Sequence, residues 1–72
     1  MNITIIGAGK SGLSAAKLAL KDGDKPFVTE SGLNEKYQST IDILSDAGIP
    51  HEFGGHTSKA LEQCDLIITS PG

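Results

Sequence analysis

The feature that most constrains this chain is the run Ile3-Thr4-Ile5-Ile6-Gly7-Ala8-Gly9-Lys10-Ser11-Gly12-Leu13-Ser14. A β-branched segment stops at three glycines spaced G-x-G-x-x-G, and a helix-forming stretch follows without a gap. In a βαβ unit the first glycine permits the tight turn out of the strand. The second lets backbone approach a phosphate, and the third lets the helix pack against the sheet. The helix opened in this way presents unpaired N–H groups and the positive end of its dipole to an anion. The stretch therefore predicts a phosphate-bearing nucleotide site, with a dinucleotide as the default ligand and a bare structural turn as the plainer alternative.

The rest of the chain alternates between two periodicities. Asn2 to Ile6 reads as a first strand, rich in isoleucine without strict alternation, which suits a strand covered on both faces. From Ser11 to about Lys21 the pattern is helical. Leu13, Ala16, Leu18, Ala19 and Leu20 supply the apolar side, and Gly23 stands where a closing glycine belongs. Pro26 is confined to a strand start or an edge, which places the paired part of the second strand at Phe27 to Thr29. Glu30-Ser31-Gly32 is a polar turn. A second helix is expected from Asn34 to Ala47, with Tyr37, Ile41 and Leu44 on one face and Gly48 and Pro50 as its stop. Its cap is either Asn34 or the box Ser39-Thr40-Ile41-Asp42. His51-Glu52-Phe53 is a short third strand ended by Gly54-Gly55. Thr57 can cap a brief helix from Ser58 to about Gln63. Asp65 to Thr69 is a fourth strand, and Ser70-Pro71-Gly72 is the turn at its carboxyl end.

The order β-α-β-α-β-α-β predicts an α/β fold built on a doubly wound parallel sheet, strand order 3-2-1-4. Ligands in such sheets bind beyond the carboxyl ends of the strands, at the switch point. That geometry would bring together Gly7 to Gly12, Glu30-Ser31 and Ser70-Pro71-Gly72. A fourth strand with its outer edge unpaired is an aggregation hazard, so the chain is expected to be the amino-terminal piece of a larger protein, with the chemistry residing elsewhere.

Composition narrows the partners. Seventy-two residues allow one small domain. The net charge is −3 and the basic residues are all lysines, which argues against nucleic acid. A bound phosphate must then rely on backbone N–H groups, hydroxyls and lysine. No apolar run approaches the ~20 residues of a membrane span, and a single cysteine, Cys64, without a leader segment suggests a cytoplasmic chain.

Gly9-Lys10-Ser11 invites a P-loop reading, but the required earlier glycine position holds Thr4, and the motif is rejected. Lys10 and Ser11 can still face a phosphate at a helix N-terminus. The plainer alternative is a solvated Lys10 with Ser11 as an N-cap. Glu30 follows Gly12 at close to the ~20-residue spacing of a ribose-reading acid, and its carboxylate can only accept hydrogen bonds when ionised. His51 and His56 lack metal-ligand spacing with Cys64 or an acid, so no metal site is expected. His56 reads as a loop residue or a distal contact. Ser70 lacks the context of a nucleophile, and its hydroxyl, with the N–H of Gly72, suits a phosphate or sugar. No catalytic residue is expected. These residues alone leave open the NAD-binding half of an oxidoreductase and a non-catalytic nucleotide-sensing domain.

The stretch Ile5 to Leu18 resembles the opening of the Mur ligases, most closely the D-glutamate-adding branch, and Gly54-Gly55-His56-Thr57 and Asp65 to Gly72 extend the likeness. The Ser-Pro-Gly turn after Asp65-Leu66-Ile67-Ile68-Thr69 is what narrows it. The resemblance implies a cytoplasmic, three-domain enzyme of peptidoglycan precursor synthesis. Residues 1–72 would be a Rossmann-like first domain holding the UDP moiety of UDP-N-acetylmuramoyl-L-alanine. ATP, Mg²⁺ and D-glutamate would be bound by later domains, where the alanyl carboxylate is activated and joined to the amine of D-glutamate. By position, Gly9, Lys10, Ser11 and Gly12 match the loop near the diphosphate, Glu30 and Ser31 match an Asp-Thr pair at the uracil end, and Ser70, Pro71 and Gly72 match a turn shaping the pocket. Glu30 is one methylene longer than the usual Asp, and Gly32 stands where some members carry a basic residue.

Overall fold

The computed structural model describes residues 1–62 and 64–69. Its elements are β1 (Asn2–Ile6), α1 (Lys10–Lys21), β2 (Lys25–Glu30), a 3-10 turn (Asn34–Tyr37), α2 (Gln38–Asp46), β3 (His51–Phe53), a second 3-10 turn (Ser58–Ala60) and β4 (Leu66–Thr69). The strands form one four-stranded sheet in the order β3-β2-β1-β4, with every pairing parallel. The predicted α/β topology, a Rossmann-like sheet, is the one found.

The core lies between the sheet and the two helices. Ile3, Ile5 and Val28 from the strands meet Ala16 and Ala19 of α1 and Leu44 and Ile49 from α2 and its exit. Alanines on the sheet-facing side of α1 let that helix sit close. Leu18 and Leu20, expected on its apolar side, are exposed instead, because Gly12, Ala16 and Ala19 at i, i+4, i+7 take the sheet-facing positions. Both helices end in the same way. Gly23 N–H donates to Leu20 O and Asp24 N–H to Ala19 O, while Gly48 N–H donates to Ser45 O and Ile49 N–H to Leu44 O. These paired bonds form the Schellman motif, and the buried Leu44 and Ile49 make its apolar contact.

Four expected boundaries move. β2 starts at Lys25, with Pro26 buried inside it and in register with Ile3. Lys25 N–H donates to Met1 O on the β1 side, and Val28 N–H to Pro50 O on the β3 side. Alternation therefore turns the imino nitrogen of Pro26 toward β3, which pairs only from Val28 onward, so no ladder bond is lost. The helix expected from Asn34 opens as a 3-10 turn capped by Leu33 and becomes α-helical at Gln38; neither Asn34 nor Ser39 caps it. The brief helix expected to reach Gln63 closes as the turn Ser58–Ala60, with Thr57 as the predicted cap, its Oγ1 accepting from Lys59 N–H at 3.2 Å. Asp65 stands just before β4 rather than in it. It pins the strand to β1 reciprocally: Asp65 N–H donates to Asn2 O, and Asn2 N–H to Asp65 Oδ2, each at 2.8 Å.

The opposite sheet face is covered more thinly. There the buried Thr4 hydroxyl donates to Ala60 O, which docks the Ser58–Ala60 turn onto β1.

Candidate functional site

The carboxyl ends of β1, β2 and β3 form a single rim, and the glycine turn is its first part. Gly7 leaves β1 with φ +107°, a left-handed conformation that favours glycine, and its N–H donates to Thr29 O at 2.9 Å. A Cβ on Gly12 would lie 1.9 Å from Gly7 O, so only glycine lets α1 start beneath the turn. Gly9 is different: nothing lies within 4 Å of the place its Cβ would take. It caps α1 through backbone alone, and the first helical bond runs from Leu13 N–H to Gly9 O at 2.9 Å. Ser11 is therefore not the cap. Among the described residues no acceptor faces the N–H groups of Lys10, Ser11 and Gly12, which are the orphan donors of a helix start. Gly9, Lys10 and Ser11 are exposed there, while Gly12 is buried below them.

Glu30, at the end of β2, is tied into the glycine turn. Its Oε1 accepts the Ala8 N–H at 2.8 Å and its Oε2 accepts the Gly32 N–H at 2.7 Å, with Ser31 Oγ at 3.5 Å. The carboxylate thus clamps the β1–α1 turn to the turn after β2. Burial pushes its pKa up, but the bonds from Ala8, Gly32 and Ser31 and the nearby His56 outweigh that and hold it below the ordinary value. Ser31 is exposed beside it. Gly32 has no room for a side chain, since a Cβ would fall 2.4 Å from Tyr37 Cε2. The absence of a basic residue at 32 therefore goes with the Tyr37 ring packed there, 5.5 Å from that of Phe53.

The third part of the rim adds Thr29 and Glu52, which the sequence reading did not single out, to His56. Thr29 is fully buried, and its Oγ1 lies 2.7 Å from Glu52 Oε2 and 2.6 Å from His56 Nδ1. Glu52 also accepts the Thr57 N–H at 2.9 Å and the Thr57 hydroxyl at 2.5 Å. Burial raises the Glu52 pKa, and the Thr57 and Thr29 bonds with His56 more than reverse it, leaving the group below its ordinary value. The available signal was register: Thr29 and Glu52 are direct partners across β2 and β3, so a threonine late in one strand and a glutamate midway along the next already stand side by side.

The structure thus brings Gly9, Lys10, Ser11, Gly12, Glu30 and Ser31 to one rim. Ser70, Pro71 and Gly72 lie outside the described residues. A separate concavity of about 180 Å³ is lined by Asn2, Ile3, Lys25, Pro26, Lys59 and Glu62 among others, at the amino-terminal halves of β1 and β2. It is smaller than the ~300 Å³ lower end of small-molecule pockets and stands at the opposite end of the strands. Among the described residues no group of three or more His, Cys, Asp or Glu side chains could hold a metal ion, and no helix is long and apolar enough to cross a membrane.

A parallel 3-2-1-4 sheet with a three-glycine turn between β1 and α1 defines a Rossmann-like α/β unit. The chain belongs to the MurD-like N-terminal domain family of the Mur ligases, whose sequence model matches residues 1–72. It is 45% identical over 69 residues to the UDP-N-acetylmuramoylalanine–D-glutamate ligase of Chlorobium limicola, covering 96% of this chain and 14% of that protein. The enzyme of the same name from Salinibacter ruber is 39% identical over 69 residues with the same coverage. That from Bacteroides thetaiotaomicron is 41% identical over 71 residues, covering 97% and 15%. The chain thus spans about one-seventh of the length of these relatives.

Proposed function

We propose that this chain is the substrate-binding domain of an ATP-dependent, D-glutamate-adding ligase of peptidoglycan synthesis, and that its rim holds the UDP moiety of UDP-N-acetylmuramoyl-L-alanine. The observation that carries this is the start of α1: three unpaired backbone N–H groups behind Gly9, with nothing occupying the space a side chain there would fill. The D-glutamate ligases to which the chain is similar act on a UDP-linked substrate by name, which favours UDP over other diphosphates.

In this reading the diphosphate accepts from the N–H groups of Lys10 and Ser11, with the Ser11 hydroxyl and the Lys10 ammonium adding a donor and a charge. With no arginine in the chain, backbone geometry supplies the specificity for phosphate. Gly12 acts beneath the turn, giving it its shape. Glu30 holds Ala8 and Gly32 in place and, with Ser31, borders the uracil end; Ser70, Pro71 and Gly72, outside the described residues, are the remaining substrate-binding residues of this reading. The rim binds and orients, and the domain by itself is not catalytic. Thr4 breaks the spacing of a P-loop for ATP, and the described side chains form no cluster for Mg²⁺; in this reading ATP, Mg²⁺ and D-glutamate are bound elsewhere. They belong to other parts of a cytoplasmic parent enzyme.

Calorimetry on the intact protein tests this. UDP binding without a response to NAD is the expected result. NAD binding with no response to UDP would instead favour an oxidoreductase half, a reading that rests on the glycine spacing and Glu30. Binding of a free nucleotide with no ligase activity in the intact protein would favour a sensing domain.

A further inference from the structure

Glu52, Thr29 and His56 form a directed chain of hydrogen bonds, and its direction fixes the chemistry of the histidine. Thr29 Oγ1 carries one proton and touches two groups, Glu52 Oε2 at 2.7 Å and His56 Nδ1 at 2.6 Å. Glu52 already accepts from the Thr57 N–H and the Thr57 hydroxyl. A carboxylate that accepts several donors is ionised and cannot donate. The Thr29 proton therefore goes to Glu52, and Oγ1 is left to accept from Nδ1–H. In the neutral ring that assigns the proton to Nδ1 and leaves the Nε2 lone pair unused. Among the described residues nothing bonds to Nε2, and the residue is exposed.

His56 also stands on the rim already described. Its only hydrogen-bond partner among the described residues, Thr29, offers its carbonyl to Gly7 N–H. The preceding loop is tied to the same place by the bond from Gly55 N–H to Glu30 O at 3.4 Å, the residue whose carboxylate clamps Ala8. A buried threonine and a carboxylate accepting three bonds are a large investment for holding one exposed ring. An acceptor so oriented is matched to an O–H or N–H donor and mismatched to a phosphate oxygen.

We propose that His56 is a nucleoside-contacting residue of this rim, its Nε2 accepting a hydrogen bond from a hydroxyl of the ribose or from the N3–H of the uracil. Thr29 and Glu52 are its positioning residues. The inference rests on the UDP reading above and adds to it a specificity-determining contact on the β3 side of the site.

Two substitutions separate the contact from the tether. In His56→Asn the amide nitrogen takes the place of Nδ1 and keeps the bond to Thr29 but offers nothing at Nε2. In His56→Gln the amide oxygen reaches the place of Nε2. Calorimetry with UDP on the intact protein should show His56→Asn binding about three- to tenfold more weakly at an unchanged melting temperature, with His56→Gln recovering most of the loss. Among 3-methyl-UDP, 2′-deoxy-UDP and 3′-deoxy-UDP, the analogue lacking the contacted donor should bind wild type and His56→Asn equally. Nitrogen-15 NMR of the wild-type ring should show the Nδ1–H tautomer and a shift of Nε2 on adding UDP, a readout that does not depend on any variant folding. UDP binding with His56→Asn unaffected, an Nε2–H tautomer, or a difference that none of the analogues removes would overturn the contact while leaving the UDP site standing. A wild-type protein with no affinity for UDP would remove the site itself.

Discussion

The glycine turn and the His56 loop meet at the same edge of the sheet but are built differently. The turn at Gly7 to Gly12 is a backbone object: its shape follows from a left-handed φ at one glycine and a missing Cβ at another, and its donors are main-chain N–H groups. The loop beyond β3 is a side-chain object, in which Thr29, Glu52, His56 and Thr57 hold one another through four bonds. Glu30 joins the two, since its carboxylate binds the backbone of the turn while its own carbonyl receives Gly55. Backbone construction suits a charged, sequence-independent group such as a diphosphate. Side-chain construction suits a group read by its particular donors and acceptors.

Substitutions should separate these regions by size of effect. Gly12→Ala should be the most damaging, costing about 3 kcal/mol or more in chemical denaturation, because the new carbon collides with backbone. Gly9→Ala, in the same motif, should stay within about 0.5 kcal/mol, since the space is open and φ is −68°. Equal losses at the two glycines would erase the distinction between a packing glycine and a ligand-facing one.

Glu30→Gln comes next. Its amide cannot accept from both Ala8 and Gly32, so about 1–3 kcal/mol should be lost at neutral pH. The pH dependence follows from the sign of the shift. Glu30 and Glu52 titrate lower in the folded chain than their ordinary value of 4.5, so the unfolded chain binds more protons there. Their contribution is complete above that value and fades as the pH falls through the lower folded pKa. Denaturation followed between neutral and acidic pH should show this decline, and Glu30→Gln should flatten it.

Thr29→Val removes the link between Glu52 and His56 while keeping the shape, and about 1 kcal/mol of stability should go with it, since water can reach both partners. The smallest effect on folding is expected at Ser11→Ala. That exposed hydroxyl makes no bond among the described residues, so the melting temperature should hold while UDP affinity drops by about 0.5–1.5 kcal/mol.

The same contrast explains what could be read from the chain before folding. The glycine spacing, the isoleucine strand before it and the alternation of periods lead directly to the 3-2-1-4 sheet, because each is a local pattern with a local cause. Pro26 is tolerated inside β2 because its restriction is to an unpaired N–H direction, and β3 begins late enough to satisfy that within the strand. Leu18 and Leu20 misled because hydrophobicity marks a helix side only coarsely, whereas the sheet selected the small residues Gly12, Ala16 and Ala19. Glu30 was legible as a rim residue but not as a clamp, since the Ala8 N–H it accepts lies far back in sequence. His56 reads from sequence only as a loop residue or a distal contact, because its setting depends on Thr29 and Glu52, which the β2–β3 register brings together.

The most direct test of the central claim, that the carboxyl rim is a nucleotide diphosphate site, is a backbone amide NMR titration of the intact protein with UDP. The N–H signals of Lys10, Ser11 and Gly12 should move first and furthest, with smaller shifts at Ala8 and Gly32, and Asn2 and Lys25 at the far end of the strands should stay still. Shifts concentrated around Asn2, Lys25 and Lys59, with Lys10 to Gly12 unmoved, would contradict it.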